Sequence, residues 1–74
     1  MPPLPILSGR EVVAALTSLG WEVSRQRGSH VVLTKDGEIA SLSVPLHDDV
    51  ARGTLRGLIR TAGLTVPEFL AAIK

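Results

Sequence analysis

The sequence predicts an α+β domain in which one helix precedes three antiparallel strands and further helices follow them. Two observations predict this fold class: apolar residues recur at helical spacing near both ends of the chain, and short strand-like segments separated by glycine-containing turns lie between them. At 74 residues the chain is too short for a second core. We therefore expect a single domain over residues 1–74, with residues 1–7 as an extended, proline-rich lead-in.

The composition is that of a folded protein without cysteine. Apolar residues make up 45% of the chain, and its only two large aromatic rings are those of Trp21 and Phe69, so the core must be largely aliphatic. The absence of cysteine excludes disulfides and thiolate metal sites and predicts a reducing, cytoplasmic location. No apolar run approaches the roughly 20 residues that span a bilayer, and the N-terminus lacks the pattern of a signal peptide.

Both ends of the chain carry helix signals. Ser8 and Glu11 form a capping box, and Gly20 suits the left-handed position after a helix, so the first helix is predicted from about Gly9 to Leu19. A second helix is predicted to begin between Asp49 and Gly53, with an aspartate as its cap, and to end at Gly63. Its core face would carry Leu55, Leu58, Ile59 and Ala62. Thr65 and Glu68 form another capping box, which predicts a short C-terminal helix.

The central segments predict three strands, over residues 21–26, 30–35 and 38–44, with Pro45 ending the last one. Asp36-Gly37 is typical of a two-residue type I′ hairpin, which would pair His30 with Ser43. Side chains alternate between the two faces of a strand. The face directed to the core would therefore carry Val31, Leu33, Ala40 and Leu42.

The first hairpin has two possible registers. A two-residue turn at Gly28-Ser29 would direct Glu22, Ser24 and Gln26 to the core, whereas a three-residue turn, 27–29, pairs Gln26 with His30 and Val23 with Leu33. We favour the longer turn because it places Trp21 and Val23 in the core. The opposite, open face would then carry Ser24, Gln26, His30, Ser41 and Ser43. This α-β-β-β-α order is that of a double-stranded-RNA-binding domain, although a fold alone does not fix function.

The candidate chemical centre is His30. The sequence has two histidines and no cysteine, which is a poor set of metal ligands, and it contains neither a phosphate-binding glycine loop nor a nucleophile elbow, so we predict no metal and no cofactor. A histidine can accept and donate protons near neutral pH, which RNA cleavage requires because RNA supplies its own 2′-hydroxyl nucleophile. The alternative is an exposed strand histidine without a role.

Basic residues near His30 are candidates for phosphate binding. The net charge is only +1, but Arg25, Arg27 and Lys35 are close in sequence, and Gly28 and Ser29 can help hold a phosphate. Possible secondary residues are His47, Ser43 and Gln26. His47 is open to four readings: a second acid or base, a phosphate contact, a partner contact or an ordinary loop residue. A second basic group, Arg52, Arg56 and Arg60, is either a binding stripe or a solvated helix face.

Short motifs in a fixed order give the sequence a family resemblance. They are Ser8-Gly9-Arg10, Gly20-Trp21, Arg25-Gln26-Arg27-Gly28-Ser29-His30, Val44-Pro45-Leu46-His47, Gly53-Thr54-Leu55 and Ala62-Gly63-Leu64. With these motifs, the chain resembles the HicA family, also called YcfA-like, which comprises the toxins of HicA–HicB toxin–antitoxin pairs. The resemblance extends from residue 8 to about residue 70, with Trp21 in place of the usual phenylalanine.

The resemblance implies a function as well as a fold. It implies a double-stranded-RNA-binding-like domain that cleaves mRNA as an endoribonuclease, with the histidine of Gly-Ser-His, here His30, as its single general acid or base. It also implies neutralisation by a HicB-type antitoxin protein. Two alternatives stay open: a non-catalytic module that binds structured RNA, and a degenerate toxin kept as an interaction protein.

Overall fold

The computed structural model describes residues 4–73 and has the predicted α+β architecture. In chain order its elements are α1 (Gly9–Ser18), β1 (Glu22–Arg27), β2 (His30–Thr34), β3 (Leu42–Pro45), α2 (Arg52–Thr61) and α3 (Val66–Ala71). The strands form one antiparallel sheet in the order β1-β2-β3. The helices pack on one face of this sheet, and the fold is that of a double-stranded-RNA-binding domain with an additional short helix.

The first helix forms as the sequence predicts. Ser8 is the N-cap, and both hydrogen bonds of the capping box with Glu11 are present. Gly20 follows the helix with a φ of 99°, a conformation that glycine adopts without steric cost. Val12 and Leu16 are completely buried, and they fix the helix against the sheet.

The first hairpin differs from the prediction. Its turn contains two residues, Gly28 and Ser29, so that Arg27 pairs with His30 and Gln26 pairs with Val31. The predicted three-residue turn and the Gln26–His30 pair are therefore wrong. A β-bulge at Ser24 then shifts the register by one residue, and Val23 pairs with Leu33 as predicted.

The bulge redistributes the side chains of β1 between the two faces. Beyond it, Arg25 pairs with Val32, so Arg25 and Arg27 share the open face with His30, whereas Gln26 lies on the helix side. The prediction that placed Gln26 beside His30 and Arg25 opposite is thus corrected. Val23 points to the helix side, but it is 54% exposed because β1 is an edge strand. The prediction that Val23 lies in the core is therefore wrong.

In the second hairpin the residues that stay in the sheet keep their predicted faces, but their register differs from the prediction. Leu33 pairs with Leu42 and Val31 with Val44, so His30 lies opposite Pro45 and not opposite Ser43. Gly37 has a φ of 85° but Asp36 does not have a positive φ, and a type I′ turn needs both. The predicted I′ hairpin is therefore wrong, and residues 38–41 leave the sheet, with Ala40 exposed.

The helices that follow the sheet pack on the same face of it as α1. In α2 the predicted apolar face is buried, but its N-cap is Ala51, without a side-chain hydrogen bond, and the predicted aspartate cap is wrong. Gly63 ends the turn after α2 with a φ of 73°. The capping box of α3 forms as predicted, and because the Thr65 backbone N–H donates to Glu68, the pKa of that carboxyl is lowered.

The segment before α1 is part of the packed structure from Leu4 onward. Leu4 and Leu7 are buried, Leu7 forms a bridge with Val50, and the Arg52 side chain donates a hydrogen bond of 2.8 Å to the Leu4 carbonyl. Residues 1–3 of the predicted lead-in lie outside the described residues. None of the helices within residues 4–73 has the length and apolar character needed to cross a membrane.

Candidate active site

Three charged or titratable side chains share the open face of the sheet, at the end where β1 turns into β2. His30 begins β2 and lies directly opposite Arg27, and Arg25 lies one row further along the same face. All three side chains are exposed. Directly paired residues have Cβ atoms about 5 Å apart and diagonal neighbours about 7–8 Å apart, distances that arginine side chains span, so both guanidinium groups can reach an anion bound at His30. We call His30, Arg25 and Arg27 the strand cluster.

The turn beside the strand cluster is shaped by one glycine. Gly28 has a φ of 58° and Ser29 does not have a positive φ, the pattern of a type II′ turn, which suits the twist of a hairpin. A Cβ added at Gly28 would meet no atom within 4 Å, so the turn presents its backbone to open space. The Gln26 amide donates to the Gly28 carbonyl at 3.1 Å and stabilises the turn.

His47 lies beside His30, although it follows the last strand. The two ring centroids are 6.4 Å apart, and the ring planes are inclined by 70°, an edge-to-face arrangement. Both imidazoles are exposed. The structure therefore brings together the two histidines of the chain at one point of its surface.

Backbone contacts fix the segment that carries His47. The Leu46 N–H donates to the Ser29 carbonyl at 2.6 Å, which ties the segment to the first turn. The Gly9 N–H donates to the His47 carbonyl at 2.9 Å, which ties it to the start of α1. A Cβ at Gly9 would lie 2.8 Å from the Leu46 Cα and closer still to the Pro45 carbonyl oxygen, so only glycine permits this approach.

Lys35 lies at the opposite end of β2 from His30. Its ammonium group donates a hydrogen bond of 3.1 Å to the Leu19 carbonyl, and its stem lies against Gly20. The lysine therefore caps the C-terminus of α1, where a positive charge also suits the helix dipole. The structure does not bring it to the strand cluster.

The two other secondary candidates occupy different surroundings. Ser43 is exposed on the open face, one row from His30, opposite Val32. Gln26 lies on the helix side, where it borders a groove of about 410 Å³ between α1 and β1 with Val13 and Val23. Within residues 4–73, no group of three or more histidine, cysteine, aspartate or glutamate side chains could hold a metal ion.

Sequence reasoning missed two features of this site. The first is the proximity of His47 to His30, which depends on the register of β3 and on the path of the chain after Pro45. The second is the role of Gly9 in that path, because glycine at the first position of a helix has no local signal for a close backbone approach. The Ser29-His30 and Pro45-Leu46-His47 segments give a partial signal, since each ends in a histidine next to a strand terminus.

Known proteins resemble this chain in sequence and in structure. The sequence model of a family described as the HicA toxin of bacterial toxin–antitoxin systems matches residues 9–64. A chain in a toxin–antitoxin complex from Streptococcus pneumoniae has a similar structure, with a TM-score of 0.69 and 36% identity, and the match covers 78% of this chain and 98% of that chain. No curated protein matches the chain.

The fold and the site define a small α+β domain of double-stranded-RNA-binding type with an exposed histidine beside two arginines of the neighbouring strand. The chain belongs to the HicA toxin family, because the match of the family includes the first helix, the whole sheet and α2. It is thus a toxin of the toxin–antitoxin kind.

Proposed function

We propose that this toxin acts as an endoribonuclease that cleaves mRNA at the strand cluster, with His30 as a general acid or base. The observation that carries the proposal is the placement of His30, Arg25 and Arg27 together on one exposed face beside an open glycine turn. An imidazole that titrates near neutral pH moves protons, and two cations beside it stabilise the charge of the phosphorane. The antiparallel sheet supplies the rigid support that such a site needs.

The substrate fits the open geometry of the site. The strand cluster lies on an exposed face and not in an enclosed pocket, which suits a polymer whose backbone passes across a surface. The Gly28 turn allows a phosphate to approach the backbone of Gly28 and Ser29. Cleavage by the 2′-hydroxyl would yield a 2′,3′-cyclic phosphate and a free 5′-hydroxyl.

The experiment that tests this function is an RNA-cleavage assay in EDTA that compares the wild type with His30→Ala. We expect the substitution to lower cleavage by about 10²–10⁴-fold or more, because it removes a proton-transfer group. Expression of the wild type, but not of the variant, should arrest growth. The matched control is Thr34→Ala, an exposed residue at the far end of the same strand, which should cleave like the wild type.

Each outcome of the assay has a definite meaning. Because His30 is exposed, its variant should fold, and the fluorescence of Trp21, a buried and unique tryptophan, reports whether it does. Undiminished cleavage by a folded His30→Ala would refute the role of His30. Binding of RNA without cleavage by the wild type would instead favour the non-catalytic RNA-binding module.

We further propose that a HicB-type antitoxin neutralises the toxin by covering the strand cluster directly or nearly so. The family assignment supports an antitoxin partner, and the structural neighbour is itself part of a toxin–antitoxin complex. If the antitoxin covers the cluster, it should protect the imidazole of His30 from chemical modification by diethyl pyrocarbonate. Full reactivity of His30 in a stable complex would place the antitoxin elsewhere.

A further inference from the structure

We propose that His47 is a second catalytic residue of this toxin and forms, with His30, a two-imidazole proton-transfer pair. This inference rests on the proposed RNA cleavage and deepens it, since the function so far assigned needs only one histidine. The residue comes from a loop after β3, so that two separate parts of the chain would build the site.

The distance between the rings suits action on one phosphate. The centroids are 6.4 Å apart and both rings are exposed to solvent. An imidazole nitrogen bonds an oxygen at about 2.6–3.2 Å, so a phosphodiester group bound across the two rings lies within hydrogen-bonding distance of both. Both rings can therefore contact oxygens of a single phosphodiester at the same time.

The backbone that carries the two rings is also held in place. His30 is fixed by its position in β2, between Arg27 and Pro45. His47 is fixed because its own carbonyl accepts from Gly9 and because Leu46 donates to Ser29, next to His30. A proton-transfer pair needs such fixed geometry, since misplacement by an ångström already slows a reaction substantially.

The chemistry of RNA cleavage supplies a task for each ring. One imidazole, in its neutral form, takes the proton of the 2′-hydroxyl while the 2′-oxygen forms a bond to phosphorus. The other, protonated, gives its proton to the 5′-oxygen while the bond between that oxygen and phosphorus breaks. The products are a 2′,3′-cyclic phosphate and a 5′-hydroxyl, and the two rings have exchanged protonation states, so that no co-reactant is consumed.

Several charged side chains lie on the elements that carry or adjoin the two rings. They come from β1, from the start of α1 and from the loop itself: Arg25, Arg27, Arg10, Asp48 and Asp49. The arginines favour a bound phosphate, and the two aspartates follow His47 directly.

The test is the pH dependence of kcat/KM for RNA cleavage by the wild type, His30→Gln and His47→Gln. We expect a bell-shaped profile for the wild type, because one ring must be neutral and the other protonated. Each variant should be about 10²–10⁴-fold slower and should lose one limb of the bell. The control is Asp48→Asn, a change in the adjacent residue, which should keep both limbs.

A substrate with sulfur in place of the bridging 5′-oxygen then assigns the two roles. A thiolate leaves without a proton, so this substrate should restore the rate of the variant that lacks the acid and not that of the variant that lacks the base. A pair therefore predicts that one histidine variant is rescued and the other is not. Equal behaviour of the two variants toward both substrates would overturn the proposal.

The other outcomes separate this inference from the proposed function. If the wild type and a folded His47→Gln show the same bell, or if only KM changes, then His47 is not a proton-transfer residue while cleavage through His30 stands. If the wild type does not cleave RNA at all, both proposals fall. The fluorescence of Trp21 again verifies that each variant is folded.

Discussion

The two ends of the sheet are built in different ways. At one end, which we call the histidine end, the turn 28–29 and the segment 45–47 are joined by the Leu46–Ser29 hydrogen bond and backed by Gly9. At the opposite end, which we call the loop end, residues 38–41 leave the sheet and the side chain of Ile39 is fully exposed. A turn bond of 3.0 Å, from the Glu38 N–H to the Lys35 carbonyl, closes the turn there.

This difference shows where the fold constrains its backbone. Both hairpins keep their apolar residues on the core face, but the first does so with a tight turn and a bulge, and the second with a long connection. The first solution places Arg25, Arg27 and His30 at neighbouring positions on the open face, next to the segment that carries His47. We therefore expect a substitution at the histidine end to reduce RNA cleavage. A substitution at the loop end that costs the same stability should leave cleavage unchanged.

The largest expected effect follows from adding one methyl group at the histidine end. Gly9→Ala would place a Cβ against the backbone of Pro45 and Leu46, which cannot move like a flexible side chain. We expect a loss of about 1–3 kcal/mol in the free energy of unfolding, by overpacking, together with reduced cleavage because His47 moves. Urea denaturation followed by Trp21 fluorescence measures the first effect and the RNA assay the second.

The control for this substitution is Gly57→Ala in α2. A Cβ at Gly57 meets no atom within 4 Å, so alanine should raise the free energy of unfolding by about 0.5–1 kcal/mol through its helix propensity. Cleavage should not change. A Gly9→Ala protein as stable and as active as the wild type would show that the close approach of the backbone is not needed.

Two turn glycines, one at each end of the sheet, test this difference. Gly28 has a φ of 58° and Gly37 a φ of 85°, and open space surrounds both. Alanine at either position should cost about 1–2 kcal/mol in stability, because L residues disfavour positive φ. Cleavage at a temperature where both variants are folded should fall for Gly28→Ala and remain normal for Gly37→Ala. Equal activity of the two variants would contradict the functional difference between the ends.

Much of this fold could be predicted because its signals are local. The capping boxes of Ser8 with Glu11 and of Thr65 with Glu68 involve residues three apart, and the structure contains both. Strand faces were also predictable for β2, since Val31 and Leu33 lie two residues apart and are both buried, whereas His30 and Thr34 belong to the other face and are exposed. The bulge at Ser24 could not be predicted, because one inserted residue has no distinct sequence signal and reverses the face of each residue beyond it.

The candidate site was predictable to a smaller extent. The exposure of His30 followed from strand alternation, and the structure confirms it. The placement of Arg25 on the same face depended on the bulge, and the proximity of His47 depended on a loop whose path is set by contacts with Gly9. Such contacts join residues distant in sequence, and composition and periodicity contain no information about them.

The smallest expected effect distinguishes two basic side chains, Lys35 and Arg27, which are close in sequence but lie at different ends of the sheet. Lys35→Met removes the cap on α1 and should cost about 0.3–1 kcal/mol in stability, whereas the salt dependence of RNA binding should stay the same. Arg27→Gln, opposite His30, should instead reduce the slope of log K against log salt by about 0.7, the value for one lost phosphate contact on a single strand. A reduced slope for a folded Lys35→Met would mean that RNA extends along the whole sheet to the loop end. In that case the Lys35 ammonium group leaves the Leu19 carbonyl to bind a phosphate when RNA is present.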